Sequence, residues 1–169
     1  MSNISRLTRT MQVVSTAMFK SCHRKRQIDA DYNEALAQAG YLLVTSEVPL
    51  AHPLLRPGDH GPAALFVIGS RAGLCGGYNV EILRLVEAHL EMAAAAGRTL
   101  EIHASPGRLV PVLHARGIAV TQVHSDLDDL PSDPQIHRLA EPFVARHRAG
   151  EIDSFSVVHM GFHSPAHQQ

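Results

Sequence analysis

The sequence predicts an α/β protein: a long N-terminal coiled-coil helix followed by a Rossmann-like α/β domain with about four mostly parallel strands. Three observations predict it. A sustained apolar heptad runs from Ile4 to Leu42. Beyond it, short apolar runs alternate with helix-period segments that end at glycines. A glycine-rich turn joins the first such run to the first such helix. The 169 residues are 45% hydrophobic and 18% charged, which is globular composition rather than disorder. The expected divisions are a shaft helix at 1–44, a linker at 45–62 and the α/β domain at 63–169.

The helix comes first. From Ser2 to Val44 there is no proline, and glycine appears only at Gly40. Steps of three and four visit Ile4, Leu7, Met11, Val14, Met18, Ser21, Lys25, Ile28, Tyr32, Ala35, Ala39 and Leu42. Ten of these twelve are apolar, the mark of a coiled-coil seam. Such a helix is about 60 Å long, more than one small domain covers. Ser2 or Asn3 is placed to cap its start. Pro49, Pro53, Pro57, Gly58, Gly61 and Pro62 then mark an irregular connection.

The domain elements follow in order. Ala63–Gly69 is a continuous apolar run, as in a strand buried on both faces. Tyr78–Ala96 reads as a helix with Ile82, Leu83, Val86, Leu90 and Met92 supplying its apolar face, stopped by Gly97. Thr99–Ala104 is a second strand, Arg108–Arg116 a short helix and Ile118–Val123 a third strand. An acidic loop holds Asp126, Asp128, Asp129 and Asp133 with Pro131 and Pro134. Gln135–Arg148 is a helix and Ser154–His159 the fourth strand. Strands separated by helices imply right-handed βαβ crossovers and a parallel sheet.

Composition bounds the function. Net charge is −1, so no global field draws the chain to nucleic acid or anionic lipid. Six cations, Arg6, Arg9, Lys20, Arg24, Lys25 and Arg26, nonetheless crowd the first 26 residues, where no acid occurs. Cys22 and Cys75 make no disulfide framework, which suits a reducing, cytoplasmic setting. No apolar run approaches the roughly 20 residues that span a bilayer.

Four features invite a chemical reading. The turn Gly69-Ser-Arg-Ala-Gly-Leu-Cys-Gly-Gly-Tyr-Asn79 follows a strand and opens a helix, where phosphate loops sit. Its glycines are not spaced as GxGxxG, and it lacks the Lys-Ser/Thr of a P-loop. No acid closes the second strand to hold a ribose, since Glu101 lies at its start. A small nucleotide-binding α/β domain or enzyme using turn 69–79 is thus the alternative function; tight strand-to-helix geometry explains the glycines more simply. Cys75 has no base singled out by spacing. His159, His163 and His167 recur every fourth residue, but Gly161 and Pro165 interrupt any helix there. The basic head of the long helix has few aromatics for stacking on bases, Phe19 being alone before Tyr32. No catalytic, cofactor-binding or metal-binding residue is expected, nor a nucleic-acid partner.

Taken together, these residues resemble the gamma subunit of F-type ATP synthases. Phe66-Val-Ile-Gly-Ser-Arg-Ala followed by Gly73, Leu74, Cys75, Gly76, Gly77, Tyr78 and Asn79 is similar to the family's apolar strand and Ser-Asp-Arg-Gly-Leu-Cys-Gly-Gly-Phe/Tyr-Asn. Arg71-Ala72 stands where the family has Asp-Arg. Thr10–Met18 resembles the Thr-Met-Lys stretch of the first shaft helix, and Gly150-Glu-Ile-Asp153 with Phe162-His-Ser164 resembles the family's later motif. The resemblance implies a non-catalytic rotor whose shaft presents Ile4, Leu7, Met11, Val14 and Met18, with Arg6 and Arg9, to its surroundings. It implies alpha, beta, epsilon and c subunits as partners, no cofactor, and peripheral attachment at the cytoplasmic side of the inner (plasma) membrane. It also implies coupling of proton or sodium flow to ATP synthesis or hydrolysis. The family continues past the fourth strand with another strand and a second shaft helix, whereas this sequence stops at Gln169. The expectation is a piece of a gamma chain, or a short divergent homologue whose partner supplies the second helix.

Overall fold

The computed structural model describes residues 3–45, 52, 61–164 and 167–168, with side chains for 5–45, 52 and 61–161. The expected caps Ser2 and Asn3, and nearly all of the linker, lie outside the described residues or side chains. The chain divides into two units, 1–51 and 52–169.

The first unit is one helix, α1 (Asn3–Thr45), 43 residues long. At 1.5 Å per residue that is about 64 Å. Nothing in it breaks the ladder: proline is absent, and Gly40 is solvent-facing with open space around it. Hydroxyls turn back on the helix: Thr10 donates to Arg6 O (3.0 Å), Thr16 to Gln12 O (2.7 Å) and Thr45 to Tyr41 O (2.8 Å).

The second unit is built on β1 (Ala63–Val67), α2 (Tyr78–Ala95), β2 (Leu100–Ala104), α3 (Leu109–Ala115), β3 (Gln122–Val123), α4 (Asp133–Arg148) and β4 (Ser154–Val158). The four strands form one parallel sheet in the order β3-β2-β1-β4. β1 is central and all five of its residues are buried, which is why it reads as an uninterrupted apolar run. Its alternate residues serve two cores. Leu65 and Val67 pack with Ile82 and Val86 of α2 and Leu109 and Leu113 of α3. Met92, expected on the same face of α2, is exposed instead, because the helical period turns it away from the Ile82–Val86 stripe. Ala64 packs on the opposite face with Phe143 of α4 and Ile152. Helices therefore cover both faces, as a doubly wound sheet requires.

Three differences from the sequence reading have physical causes. The third strand is only two residues, not Ile118–Val123. The Ile118 N–H donates back to Leu113 O (3.0 Å) in closing α3, and the ladder starts only at Thr121, whose N–H reaches Ile102 O (2.7 Å). Ile118 and Val120 still pack on the core. Helix α4 begins at Asp133, two residues before Gln135. Ser132 is extended and its N–H donates to the Gln135 side chain (3.0 Å), half of a capping box. Pro134 in the first turn has no N–H to waste and a preset φ, and Asp133 meets the positive end of the helix. Finally, β5 (Phe162–Ser164) and β6 (His167–Gln168) pair antiparallel as a small separate ribbon, in a segment where the sequence predicts no element.

Candidate functional site

The sheet order places the glycine turn where a doubly wound fold binds ligands. Connections from β1 run one way to β2 and β3, while β4 lies on the other side of β1, so the turn after β1 sits at the switch point. What fills that point is the turn itself. The Ser70 N–H donates to Asn79 Oδ1 (3.0 Å), and Asn79 Nδ2 donates to Ser70 Oγ (2.7 Å). One asparagine in the first turn of α2 thus clamps both ends of the loop. The Cys75 thiol donates to the same Ser70 Oγ (3.3 Å), so it is part of the clamp. The Tyr78 hydroxyl donates to Ile68 O (3.1 Å), and burial pushes its phenol up, against the pull of a hydrogen bond to the Met160 backbone.

Several backbone donors flanking the turn are consumed internally. Gly69 N–H reaches Ser105 Oγ (3.1 Å), Tyr78 N–H reaches Cys75 O (3.3 Å), and Val80 and Glu81 N–H both reach Gly77 O (3.0 Å each). Glu81 puts a carboxylate in the first helical turn, where a phosphate would have to sit. Glu101, already read as misplaced for a ribose, is gripped by both Nη atoms of Arg146 at 2.8 Å. Each of these points weighs against a nucleotide at this turn. The glycines answer to packing instead: a Cβ on Gly69 would stand 2.4 Å from Leu109 Cβ, so the chain just after β1 comes this close to α3 only as a glycine. Gly76 has φ +58°, in the left-handed region. Leu74 shares that region at φ +62° with no glycine's freedom and is 89% exposed, so the tip of the turn offers a strained apolar knob to solvent. Arg71 leaves the turn to pair with Asp129 and with the Leu127 carbonyl, tying it to the acidic loop.

The second candidate surface is the α1 seam. Leu7, Met11, Val14 and Met18 are exposed, as are Ile28, Tyr32 and Leu42 further along. Arg6 and Arg9 are exposed with them, and no acid occupies the first helical turn. Ile4 lies in α1 by position, its side chain outside the described set.

Among the described residues no group of three or more His, Cys, Asp or Glu is arranged to hold a metal. His163 and His167 fall on β5 and β6, so their four-residue spacing does not place them on one helical face. No described helix is long and apolar enough to cross a membrane. Sequence reasoning missed one cluster, His103, His124, Glu101 and Arg146. Its only sequence signal was the strand alternation that puts Glu101 and His103 on one face of β2.

Comparison with known proteins now gives these surfaces a family. A family model described as ATP synthase matches residues 1–169. The ATP synthase gamma chain of Rhodopirellula baltica is 30% identical over 168 residues, covering 99% of this chain and 57% of the relative. That of Leptospira biflexa is 26% identical, covering 99% and 58%, and that of Gemmatimonas aurantiaca 26%, covering 93% and 54%. The chain thus spans a little over half the length of the curated relatives it matches. With a family match along its whole length, a 43-residue helix and the α/β sheet carrying the glycine turn, the chain belongs to the ATP synthase gamma-chain family.

Proposed function

We propose that the chain acts as a central-stalk rotor component of an F-type ATP synthase. It couples proton or sodium flow to ATP synthesis or hydrolysis in the beta subunits and carries no catalytic residue itself. The observation that carries this reading is the exposed seam of α1. An apolar stripe of 3.5-residue period is a surface made to be covered, and a single helix of this kind is marginal in water without such cover. Leu7, Met11, Val14 and Met18, with Ile4 by position, form the covered part, inside a sleeve of alpha and beta subunits. Arg6 and Arg9 lie near the positive end of the helix dipole, where cations are unfavourable. An acidic lining around the shaft would offset that cost. Epsilon and c subunits would meet the α/β domain, with the signature turn Gly73–Asn79 as one part of that domain's surface. The resulting location is peripheral, on the cytoplasmic side of the plasma membrane, through the complex rather than through a span.

Co-expression with alpha and beta subunits tests the reading. The tagged chain is expected to co-purify with both in a fixed stoichiometry, and Met11→Asp with Val14→Asp to abolish it while circular dichroism stays unchanged. Failure of the unmodified, folded chain to retain either subunit would overturn it. Saturable binding of ATP, NAD or FAD in calorimetry, lost in Gly76→Val, would favour the nucleotide-binding alternative instead.

A further inference from the structure

The α4 face of the sheet holds a cluster of titratable side chains that the proposed rotor role does not use. His103 stands in β2 and is almost wholly buried. His124 directly follows β3, and its Nε2 lies 3.2 Å from His103 Nδ1. The other nitrogen of His103, Nε2, is 3.5 Å from Glu101 Oε2 and has no closer polar partner. Arg146 of α4 holds that same carboxylate in a two-bond fork and also reaches Glu151. Phe143 of α4 stands edge-on to His103 at 4.8 Å, and Phe66 of β1 edge-on to His124 at 5.6 Å. Asp126, in the loop after β3, is the remaining charge acting on His124.

Elementary chemistry places the protons. A carboxylate repels a bare ring nitrogen, so His103 Nε2 carries its hydrogen toward Glu101 and leaves Nδ1 as an acceptor. His124 Nε2–H then donates to it. Both rings are neutral in this arrangement. A proton added at His124 Nδ1 leaves the bond intact. With His124 already charged, a proton on His103 Nδ1 removes the acceptor, and two N–H groups then confront each other across 3.2 Å.

We infer that His103 and His124 form an acid-released latch that fastens β3 and the loop after it to β2 and, through Glu101 and Arg146, to α4. Little backbone pairing holds that edge, although Arg71 ties the loop to the glycine turn through Asp129 and the Leu127 carbonyl, and Gln135 ties it to α4. β3 pairs over two residues only, flanked by the Thr121 and His124 N–H bonds to Ile102 O and Ala104 O. Burial is the main influence holding both histidines below their ordinary value. Glu101 opposes it at His103, and His103 reinforces it at His124 against Asp126. The undocked edge therefore takes up more protons than the docked one. The latch is complete above the ordinary histidine value of 6.5 and weakens as pH falls below it.

Amide hydrogen exchange on the whole chain, corrected for intrinsic rates, tests this at about pH 7.5 and about pH 5. Protection at Thr121 and His124 is expected to fall about fivefold or more relative to Ile68 and Ser105, the size of one net hydrogen bond. His103→Gln keeps an amide oxygen that accepts and cannot ionise, so its acid loss is expected to vanish. No loss in the unmodified chain, or an equal loss in His103→Gln, would overturn the latch. Where His103→Gln does not fold, the ring ¹⁵N shifts of the unmodified chain decide. A bare His103 Nδ1 and a protonated His124 Nε2 near neutrality support the latch. The opposite tautomers, or an ordinary titration of His103, refute it.

Discussion

At the scale of single residues, the signature turn is explained by what its atoms bind. Asn79 is worth more than its helix position, because one side chain satisfies both the backbone and the hydroxyl of Ser70. Asn79→Ala leaves the half-buried Ser70 N–H without that partner, so a loss of about 1–3 kcal/mol in urea unfolding is expected. The two special glycines separate two kinds of cost. Gly69→Ala drives a Cβ into Leu109 and is expected to cost about 1–3 kcal/mol, as overpacking does. Gly76→Ala meets open space and bears only left-handed strain, about 1 kcal/mol. A larger loss for Gly76→Ala than for Gly69→Ala would mean that strain, not the β1–α3 approach, governs the turn. The resemblance marked this run of residues in the sequence. It did not reveal the clamp, because the hydrogen bonds join Ser70 to Asn79 across nine positions with no periodic signal.

At the scale of elements, α4 is the helix with the most identifiable anchors. Ser132 and Gln135 open it, Gln135 also donates to Asp126 O (2.7 Å) and Asp128 Oδ2 (3.0 Å), and Arg146 grips Glu101 near its end. Gln135→Ala removes the reciprocal cap and the tie to the acidic loop, and a cost of about 1 kcal/mol is expected, read from the urea midpoint. The Arg146 hydrogen bonds, opposed by desolvation and supported more weakly by the Arg146 charge and by His103, hold the Glu101 carboxyl below its ordinary 4.5. A carboxyl lowered on folding contributes stability that is present above its unfolded value and lost as pH falls through the folded one. Arg146→Met is therefore expected to lower stability at neutral pH and to flatten the decline below about pH 4.5, seen in urea unfolding across pH. An unchanged acid limb would show that Glu101 is not the group responsible. Of these elements, β1, α2 and β2 were legible because their periods and glycine stops agree. β3 was not, because the backbone of Ile118 was already committed to α3, a contest that apolar pattern alone does not register. The head of α4 was misread by treating Asp133 and Pro134 as loop residues, when both suit a first helical turn. The His103–His124 pair was invisible because it depends on β2–β3 register, which joins residues 21 apart.

At the scale of the whole molecule, the two units differ in what their side chains are for. In the α/β unit apolar residues meet one another across both faces of the sheet. In α1 they are exposed: Leu7 at 64%, Met11 at 43% and Val14 at 53%. Removing an exposed side chain forfeits little burial, so Leu7→Ala, Met11→Ala and Val14→Ala should each change the unfolding free energy of the isolated chain by no more than about 0.5 kcal/mol. Alanine also has the best helix propensity, which leaves the helix itself intact. If the seam is the covered face of a shaft, the same substitutions should weaken retention of alpha and beta subunits, each by about tenfold or more where the side chain would be fully buried. The split between the two readouts is the informative result. Loss of stability without loss of assembly would mean that the seam serves the chain's own fold. Loss of assembly at constant stability would assign it to the partners.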